Sequence, residues 1–329
     1  MNTFITRRGL TLTACLIFPL CFSFQADAAN PVVERPVIDG EWWGISNNPD
    51  LGNYNKEGQQ PVDFAIWQAA DGTWQLWSCI RRTNAPGKTR LFYRWEGKNL
   101  TDPDWSPMGI AMEADPSLGE TEGGLQAPHV VKIDGIYHMF YGDWLRICLA
   151  TSVDGKNFER VKNERGQPDL FGGPWTQTRD AMVIKIGGLY HCYYSDHKEK
   201  TESVPQAAIL CRTSADLKKW SEPMIVSAGG SARDLCRWHG GDAECPFVVE
   251  RNGLYYLFRN QRYGKDMINT QYASPNPLDF GVNDDRYKIG TLPVAAPEII
   301  EHEGVQYIAS VKANFDGIQI ARLKWVPKE

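Results

Sequence analysis

Three carboxylates, Asp63, Asp180 and Glu244, each stand at the start of an otherwise apolar stretch of the chain. A charged side chain at the start of a buried strand is costly unless it has a role. Carboxylates that converge in one site acquire different pKa values, so that one donates a proton while another stays ionised. Hydrolysis of a glycosidic bond uses such a pair. The three residues are therefore predicted to be catalytic, in a hydrolase of oligo- or polysaccharides.

Other side chains near the same strand starts have the chemistry to bind a sugar. Glutamine and histidine hydrogen-bond hydroxyl groups, tryptophan offers a flat apolar face, and arginine pairs with a carboxylate or sulfate. The predicted substrate-binding residues are Trp43, Gln126, His129, Trp144, Arg179 and His239. A structural alternative stays open for each of them: core packing, a loop role or an internal ion pair.

Five copies of one pattern run through the chain: an apolar segment, a turn that ends in glycine, and a second segment rich in aromatic residues. The copies begin at Asp63, Ala127, Asp180, Cys245 and Ala296, and their turn glycines are Gly72, Gly135, Gly188, Gly253 and Gly304. Asp-Gly and Asn-Gly pairs favour hairpin turns because both residues tolerate a positive φ. The turn glycines are 63, 53, 65 and 51 residues apart, which leaves room for four strands and their loops.

This pattern predicts an all-β fold, a five-bladed β-propeller with four antiparallel strands in each blade. The innermost strands of a propeller line its axis, so the starts of the five copies are expected to meet at one end of it. Residues 29–329 then form one domain, since no linker divides them and no stretch has helical periodicity. We expect the first blade to be closed by strands from both ends of the chain.

The composition fits a folded protein without affinity for nucleic acid. Hydrophobic residues make up 42% of the chain, well above what a disordered segment contains. Aromatic residues make up 12%, including 12 tryptophans, which favours β-structure. The formal net charge of −5 argues against a nucleic-acid partner.

Residues 1–28 are predicted to be a signal peptide. Arg7 and Arg8 precede an apolar stretch, which ends before the small-residue cleavage pattern Ala26-Asp27-Ala28. The apolar stretch is too short to span a membrane comfortably. The protein is thus expected to be secreted or periplasmic, with no membrane contact after cleavage. The sequence leaves the oligomeric state and the export route open.

The mature chain has six cysteines, and export makes disulfides feasible. Cys79 and Cys192 lie within apolar strands and are expected to be buried thiols. Cys236 and Cys245 are the pair whose spacing best suits a bridge across a loop. No Cys-x-x-Cys pair occurs, and the proposed chemistry requires neither an organic cofactor nor a metal.

Two motifs carry a family resemblance. Thr178-Arg179-Asp180 opens the third repeat, and Ala243-Glu244-Cys245-Pro246 opens the fourth. With the five repeats, they resemble the five-bladed propeller clan of glycoside hydrolase families 43, 32, 62, 68 and 117. The resemblance implies that Asp63 is the base or nucleophile, that Asp180 orients the acid or binds the sugar, and that Glu244 is the general acid. It also implies that a structural cation in the central channel is compatible with the fold.

The sequence departs from the clan's pattern around two of these residues. Ala181 follows Asp180 where the clan often has proline, and Asp63 lacks the clan's usual neighbours. Asp39 and Asp50 are therefore alternatives for the base. Because the first-repeat motif of the retaining families is missing, inversion is favoured. A non-catalytic carbohydrate-binding propeller is the alternative function.

Overall fold

The computed structural model describes Met1 and residues 31–198, 207–236 and 242–328. The predicted signal peptide and His239 therefore lie outside the described residues. Within them, the chain forms five antiparallel sheets and three short 3-10 helices, at Gly52–Tyr54, Pro116–Leu118 and Arg233–Leu235. No helix among the described residues has the length and hydrophobicity needed to cross a bilayer.

The sheets are the five predicted blades, each with its first strand innermost. Strand β1 (Glu34–Gly44) belongs to the last blade. The first blade contains β2 (Gln60–Gln68), β3 (Trp74–Arg81), β4 (Leu91–Gly97) and β5 (Ser106–Met112). The second contains β6 (Gln126–Ile133), β7 (Ile136–Gly142) and β8 (Arg146–Ser152), with β9 (Glu159–Arg160) and β10 (Asp169–Gly172) both paired to β8.

The remaining blades follow the same order. The third contains β11 (Gln177–Ile186), β12 (Leu189–His197), β13 (Ala207–Ser214) and β14 (Met224–Ser227). The fourth contains β15 (Glu244–Arg251), β16 (Leu254–Arg262), β17 (Ile268–Ser274) and β18 (Lys288–Leu292). The fifth contains β19 (Glu298–His302), β20 (Val305–Val311) and β21 (Ile318–Pro327), with β1 as its outermost strand.

The closure of the ring differs from the prediction. Strand β1 pairs antiparallel with β21, so the ends of the chain close the fifth blade and not the first. The prediction of the first blade was wrong because that blade takes all four of its strands from one continuous stretch, residues 60–112. The N-terminal strand, Glu34–Gly44, is left to complete the blade whose own stretch supplies only three strands.

The predicted turn glycines lie in the turns that join the first and second strands of the blades. In four of the five, both central residues have positive φ, for example Asp134 at 49° and Gly135 at 84°. This is the geometry of a type I′ turn, whose twist matches that of the flanking strands. Because the turn fixes which residues pair, it also fixes which side chains of the inner strand face the axis.

The core consists of five hydrophobic clusters between successive blades. The cluster between the third and fourth blades, for example, packs Met182 and Tyr193 against Val248 and Leu257. Removing a large side chain from such a cluster leaves a cavity and costs about 2–5 kcal/mol. The inner strands are thus held firmly in place around the axis.

Candidate active site

One residue with a positive φ lies at the same position in each of the five blades. These residues are Asp63 (34°), Ala127 (41°), Asp180 (60°), Cys245 (45°) and Ala296 (47°). In the first four blades, the pairing of the inner strand with its neighbour shifts register at this point. A bulge of this kind re-aims side chains and ends the regular pairing. Asp63 and Asp180 therefore occupy equivalent bulges in the first and third blades.

Glu244 lies one residue before the equivalent bulge, which is at Cys245. In this position it matches Arg179 of the third blade and Gln126 of the second rather than Asp63 and Asp180. The three carboxylates therefore occupy two adjacent repeat positions, in line with the nearly equivalent positions that the sequence indicated. The one-residue offset brings Glu244 to Arg179, whose Nη2 lies 2.5 Å from Glu244 Oε1.

Cys245 connects the three carboxylates. Its backbone N–H donates to Asp180 Oδ2 at 3.1 Å, and its Sγ lies 3.5 Å from Asp63 Oδ1. Glu244 is its neighbour in the chain, so the three acidic side chains surround one residue. Cys245 is a thiol in this arrangement, and no disulfide joins it to Cys236, the cysteine whose spacing best suited a bridge. The bulge turns Cys245 into the site instead.

Tyr263, just beyond the end of β16, holds Asp63 from the other side. Its hydroxyl donates to Asp63 Oδ1 at 2.5 Å and lies 3.0 Å from the sulfur of Cys245. Asp63 is 8% exposed. A hydrogen bond to a carboxylate this strongly buried fixes the orientation of the carboxylate as well as compensating for its lost hydration.

Two of the carboxylates, Glu244 and Asp180, titrate differently from free ones. Burial raises the pKa of Glu244 to about 7, although the Arg179 guanidinium opposes the shift, and the charges of Asp180 and Asp63 add to it. Burial and the charge of Asp63 also raise the pKa of Asp180. In contrast, burial and Arg179 lower the pKa of His197, beside Glu244, to about 2. Glu244 therefore exchanges a proton near neutral pH, whereas His197 stays a neutral imidazole.

A cavity of about 650 Å³ lies over these residues. Its cationic lining residues are Arg81, Arg82, Arg90, Arg179, Arg262 and Lys265. Its other lining residues are Gln126, Trp144, Gln177, Tyr263, Asp266 and Phe315. None of the three carboxylates lines it directly. Asp63 and Asp180 line a narrow axial cavity of about 30 Å³ instead. Glu244 lines neither space, and Arg179 and Tyr263, which line the large cavity, contact Glu244 and Asp63.

Of the predicted substrate-binding residues, Gln126, Trp144 and Arg179 line the large cavity. Gln126 is 2% exposed, and its Oε1 has no hydrogen-bond partner among the described residues. Trp43 does not reach the cavity, because it packs edge-on against Tyr307 in the fifth blade, with ring centroids 6.1 Å apart. The structure therefore places Trp43 in a packing position outside the cavity.

His129 lies in the channel rather than in the large cavity. Its Nε2 is 3.3 Å from the carbonyl oxygen of Val183, and its Nδ1 is 3.8 Å from Glu298 Oε1. The aligned repeats predicted that His129 would lie just inside the second blade, but not that the fifth blade would supply an acidic partner. The described residues contain no group of three or more potential metal ligands. The sequence-based expectation of a channel cation stays a prediction.

The alternatives for the base lie on the periphery. Asp39 pairs with Lys324 at 2.8 Å in the outermost strands of the fifth blade. Asp50 accepts hydrogen bonds from Gly52 and Asn55 in an exposed turn. Neither residue contacts Glu244 or Asp180, so Asp63 is the carboxylate that the fold brings to them.

Several residues of the site were missed by the sequence analysis. Tyr263, Arg81, Phe315 and Lys265 lie at strand ends and in loops outside the repeated hairpins. The repeats align only the hairpins, so they give no information on these positions. A usable signal was the cluster Arg262-Tyr263, which follows the second strand of the blade that carries Glu244.

The fold defines a class, the five-bladed propeller with an axial site, and solved structures of that class match the chain. A thermostable family-43 glycoside hydrolase superimposes with a TM-score of 0.62 at 17% identity, covering 87% of this chain and 97% of that one. An endo-arabinase from Bacteroides thetaiotaomicron gives 0.59 at 14% identity, covering 86% and 97%. An α-L-arabinofuranosidase from Lactobacillus brevis gives 0.59 at 14% identity, covering 84% and 95%.

No protein-family model and no curated protein matches the chain. The likeness to the solved structures is therefore one of fold, and it extends over nearly the whole length of each of them. The predicted architecture, a five-bladed propeller of this kind, is confirmed.

Proposed function

We propose that the protein is a glycoside hydrolase that works by acid–base catalysis with carboxylates. The observation that carries the proposal is the meeting of Asp63, Asp180 and Glu244 around Cys245, under a large cavity, with the pKa of Glu244 raised to about 7. A carboxyl group that keeps its proton near neutral pH, next to carboxylates that carry charge, is the arrangement that glycosidic cleavage needs.

The proposed roles follow from the environment of each group. Glu244 is the general acid, and its proton passes to the glycosidic oxygen as the bond from that oxygen to the anomeric carbon breaks. Asp63 is the base: it accepts a proton from water while the water oxygen attacks the anomeric carbon. Asp180 does not exchange a proton with substrate, and its negative charge favours the protonated form of Glu244.

We propose an inverting reaction, as the sequence favoured, in which a water molecule fits between substrate and Asp63. Proton NMR of the first product decides this point, since inversion gives the anomer opposite to that of the substrate. Export through the N-terminal signal is also part of the proposal. Mass spectrometry of the mature protein tests it, with cleavage after Ala28 expected.

The alternative, a non-catalytic carbohydrate-binding propeller, has one observation in its favour. Arg179 and Tyr263 separate Glu244 and Asp63 from the large cavity, so substrate reaches the carboxylates only if these two side chains give way. If they stay in place, the cavity binds a saccharide without cleaving it. Calorimetric binding without any product would support this reading.

The test uses purified protein and a panel of neutral and acidic oligosaccharides, with released sugars separated by chromatography. The wild type is compared with Glu244→Gln and with Glu250→Gln, an exposed carboxylate at the far end of the same strand. We expect Glu244→Gln to lose about 10²–10⁴-fold in kcat on the natural substrate, the value of a general acid. Glu250→Gln is expected to match the wild type. No cleavage of any saccharide by the wild type would contradict the proposal.

A further inference from the structure

The walls of the large cavity concentrate positive charge in a protein that is negatively charged overall. Five cationic residues besides Arg179 line the cavity: Arg81, Arg82, Arg90, Arg262 and Lys265. The whole chain has 40 acidic and 35 basic residues. Its formal charge of −5 gives no reason to expect a cationic cavity, so the clustering is a local property of this site.

None of these five residues has an ion-pair partner within 4 Å among the described residues. Partly buried arginines elsewhere show the usual arrangement: Arg160 pairs with Glu120 at 2.8 Å, and Arg251 with Glu34 at 2.5 Å. In the cavity wall, the Nε of Arg262 is buried and has no hydrogen-bond partner in the described part of the chain. Arg81, Arg90 and Arg262 are partly buried, whereas Arg82 and Lys265 are exposed. For the three partly buried cations the lack of a counter-charge is costly, and a bound anion removes that cost.

Aromatic rings, rather than carboxylates, hold two of the cations. The guanidinium of Arg81 lies 5.4 Å from the ring centroid of Phe315 and 5.8 Å from that of Tyr263. The guanidinium of Arg90 lies 5.0 Å from the ring centroid of Trp144. Cation–π contacts position a guanidinium without using its N–H donors. The Nε–H of Arg81 donates to Gln60 Oε1 at 2.9 Å, which leaves the Nη donors of Arg81 for an anionic oxygen.

The cations are also close to the proposed reacting groups. Tyr263, under Arg81, donates to Asp63, and Arg179 lines the same cavity and pairs with Glu244. A ligand group bound by Arg81 thus belongs to the sugar that lies over the carboxylates, or to its neighbour. Gln126, with an unpartnered Oε1, offers an acceptor for a sugar hydroxyl in the same space.

From these contacts, and resting on the proposed hydrolase function, we infer that the cavity takes an anionic saccharide, one whose sugars carry carboxylate or sulfate groups. Both groups present oxygens that match the parallel N–H donors of a guanidinium. Several cations around one cavity fit an oligosaccharide with more than one negative charge. Such binding weakens as salt screens the charges.

The experiment measures binding and turnover for three oligosaccharide classes: oligogalacturonate, sulfated galactan oligosaccharide, and neutral xylo- and arabino-oligosaccharides. Arg82→Gln/Arg90→Gln/Lys265→Gln removes three charges from the wall. Arg35→Gln/Lys218→Gln/Arg322→Gln removes three from exposed positions far from the cavity and is the matched control. Calorimetry uses the Glu244→Gln background so that the ligand is not consumed, and turnover uses the intact Glu244.

We expect one anionic class to bind at least about tenfold more tightly than the neutral sugars, the value of one charge-assisted hydrogen bond. The wall variant should lose that advantage and its salt dependence, while the control keeps both. Whether the cavity takes carboxylates or sulfates is decided by which of the two oligosaccharides shows this tighter, salt-dependent binding. Neutral sugars bound as tightly as anionic ones, or an unchanged wall variant, would overturn the inference.

Turnover separates this inference from the proposed function. An anionic saccharide that binds through the wall but is not cleaved would support the inference and contradict the hydrolase. Cleavage of neutral sugars, with no response to the wall charges, would support the hydrolase and overturn the inference. Absence of both binding and cleavage for every class would contradict the two together.

Discussion

The floor and the walls of the large cavity are built in different ways. What we call the floor lies beneath the cavity, behind Arg179 and Tyr263, and consists of Asp63, Asp180 and Glu244, on inner strands at or beside a bulge that every blade repeats. The walls consist of side chains such as Arg82 and Lys265, which lie in the connections between the second and third strands of the first and fourth blades. The floor is acidic and buried, whereas the walls are cationic and partly exposed. This difference indicates that residues of the repeated inner strands carry out the reaction and that residues of the loops recognise the ligand.

This division has a physical basis. Interblade clusters fix the inner strands, and loss of a single large side chain there costs about 2–5 kcal/mol, so the geometry of the floor is held firmly. Loops tolerate substitution better and commonly determine which ligand is bound. Changes in the floor should therefore affect the chemical step for every substrate, and changes in the walls should affect binding of particular substrates.

The largest effect is expected for Asp63→Asn. The amide keeps the shape of the side chain but cannot accept a proton from water, so hydrolysis should fall about 10⁴-fold, the upper end for acid–base catalysis. The loss should be the same for aryl glycosides and oligosaccharides, because both need the attacking water. Initial rates measure it. Retention of more than a tenth of the activity would remove Asp63 from the reaction.

The next effect concerns pH. Because burial raises the pKa of Glu244 to about 7, half of the molecules carry the catalytic proton at pH 7 and roughly one tenth at pH 8. Activity on oligosaccharides should therefore fall about fivefold from pH 7 to pH 8, and about tenfold per pH unit beyond that. The pH profile of kcat/KM records this limb. It should disappear in Glu244→Gln, measured on an aryl glycoside, and its persistence there would assign the limb to another group.

A smaller effect is expected for Tyr263→Phe, which removes the hydroxyl that donates to Asp63 at 2.5 Å. Loss of a hydrogen bond to a charged group corresponds to about a tenfold decrease in kcat. Because Tyr263 acts by positioning Asp63, the decrease should be the same for aryl glycosides and oligosaccharides, since both need the attacking water. A change in thermal stability with unaltered kcat would give Tyr263 a structural role only.

The smallest effect is expected for Trp43→Phe. The ring packs against Tyr307 in the fifth blade, away from floor and walls, so kcat and KM should stay within about twofold of the wild type. Trp144→Phe, in the wall, is the informative counterpart, since it alters the ring that holds Arg90. A raised KM for Trp43→Phe, with Trp144→Phe unaffected, would reverse the assignment of the two tryptophans.

The sequence predicted the features that lie within the repeated hairpins and missed those that lie outside them. The turn glycines and the aligned starts at Asp63 and Asp180 identified the five blades and the floor, because hairpin chemistry is local. The packing of Trp43 against Tyr307 was not predicted, since the two residues are remote in the chain. The contact of Cys245 with Asp63 depends on the bulge, and a one-residue bulge leaves no periodic signal in the sequence.

The sequence also did not predict that the acidic floor would lie beneath cationic walls. Arg81 and Tyr263 are 182 residues apart in the chain and meet only when the first and fourth blades close around the axis. The cationic lining of the cavity is therefore a property of the ring, and the net charge of −5 pointed in the opposite direction.

The central claim is that Glu244 donates the proton to the leaving group, and the dependence of rate on leaving-group pKa tests it most directly. The measurement compares wild type, Glu244→Gln and Glu250→Gln on a series of aryl glycosides of the cleaved sugar. The account predicts that the loss in Glu244→Gln grows steadily with leaving-group pKa, from small for nitrophenols to about 10²–10⁴-fold for unactivated alcohols, while Glu250→Gln follows the wild type. An equal loss across the series, or no loss at all, would contradict it.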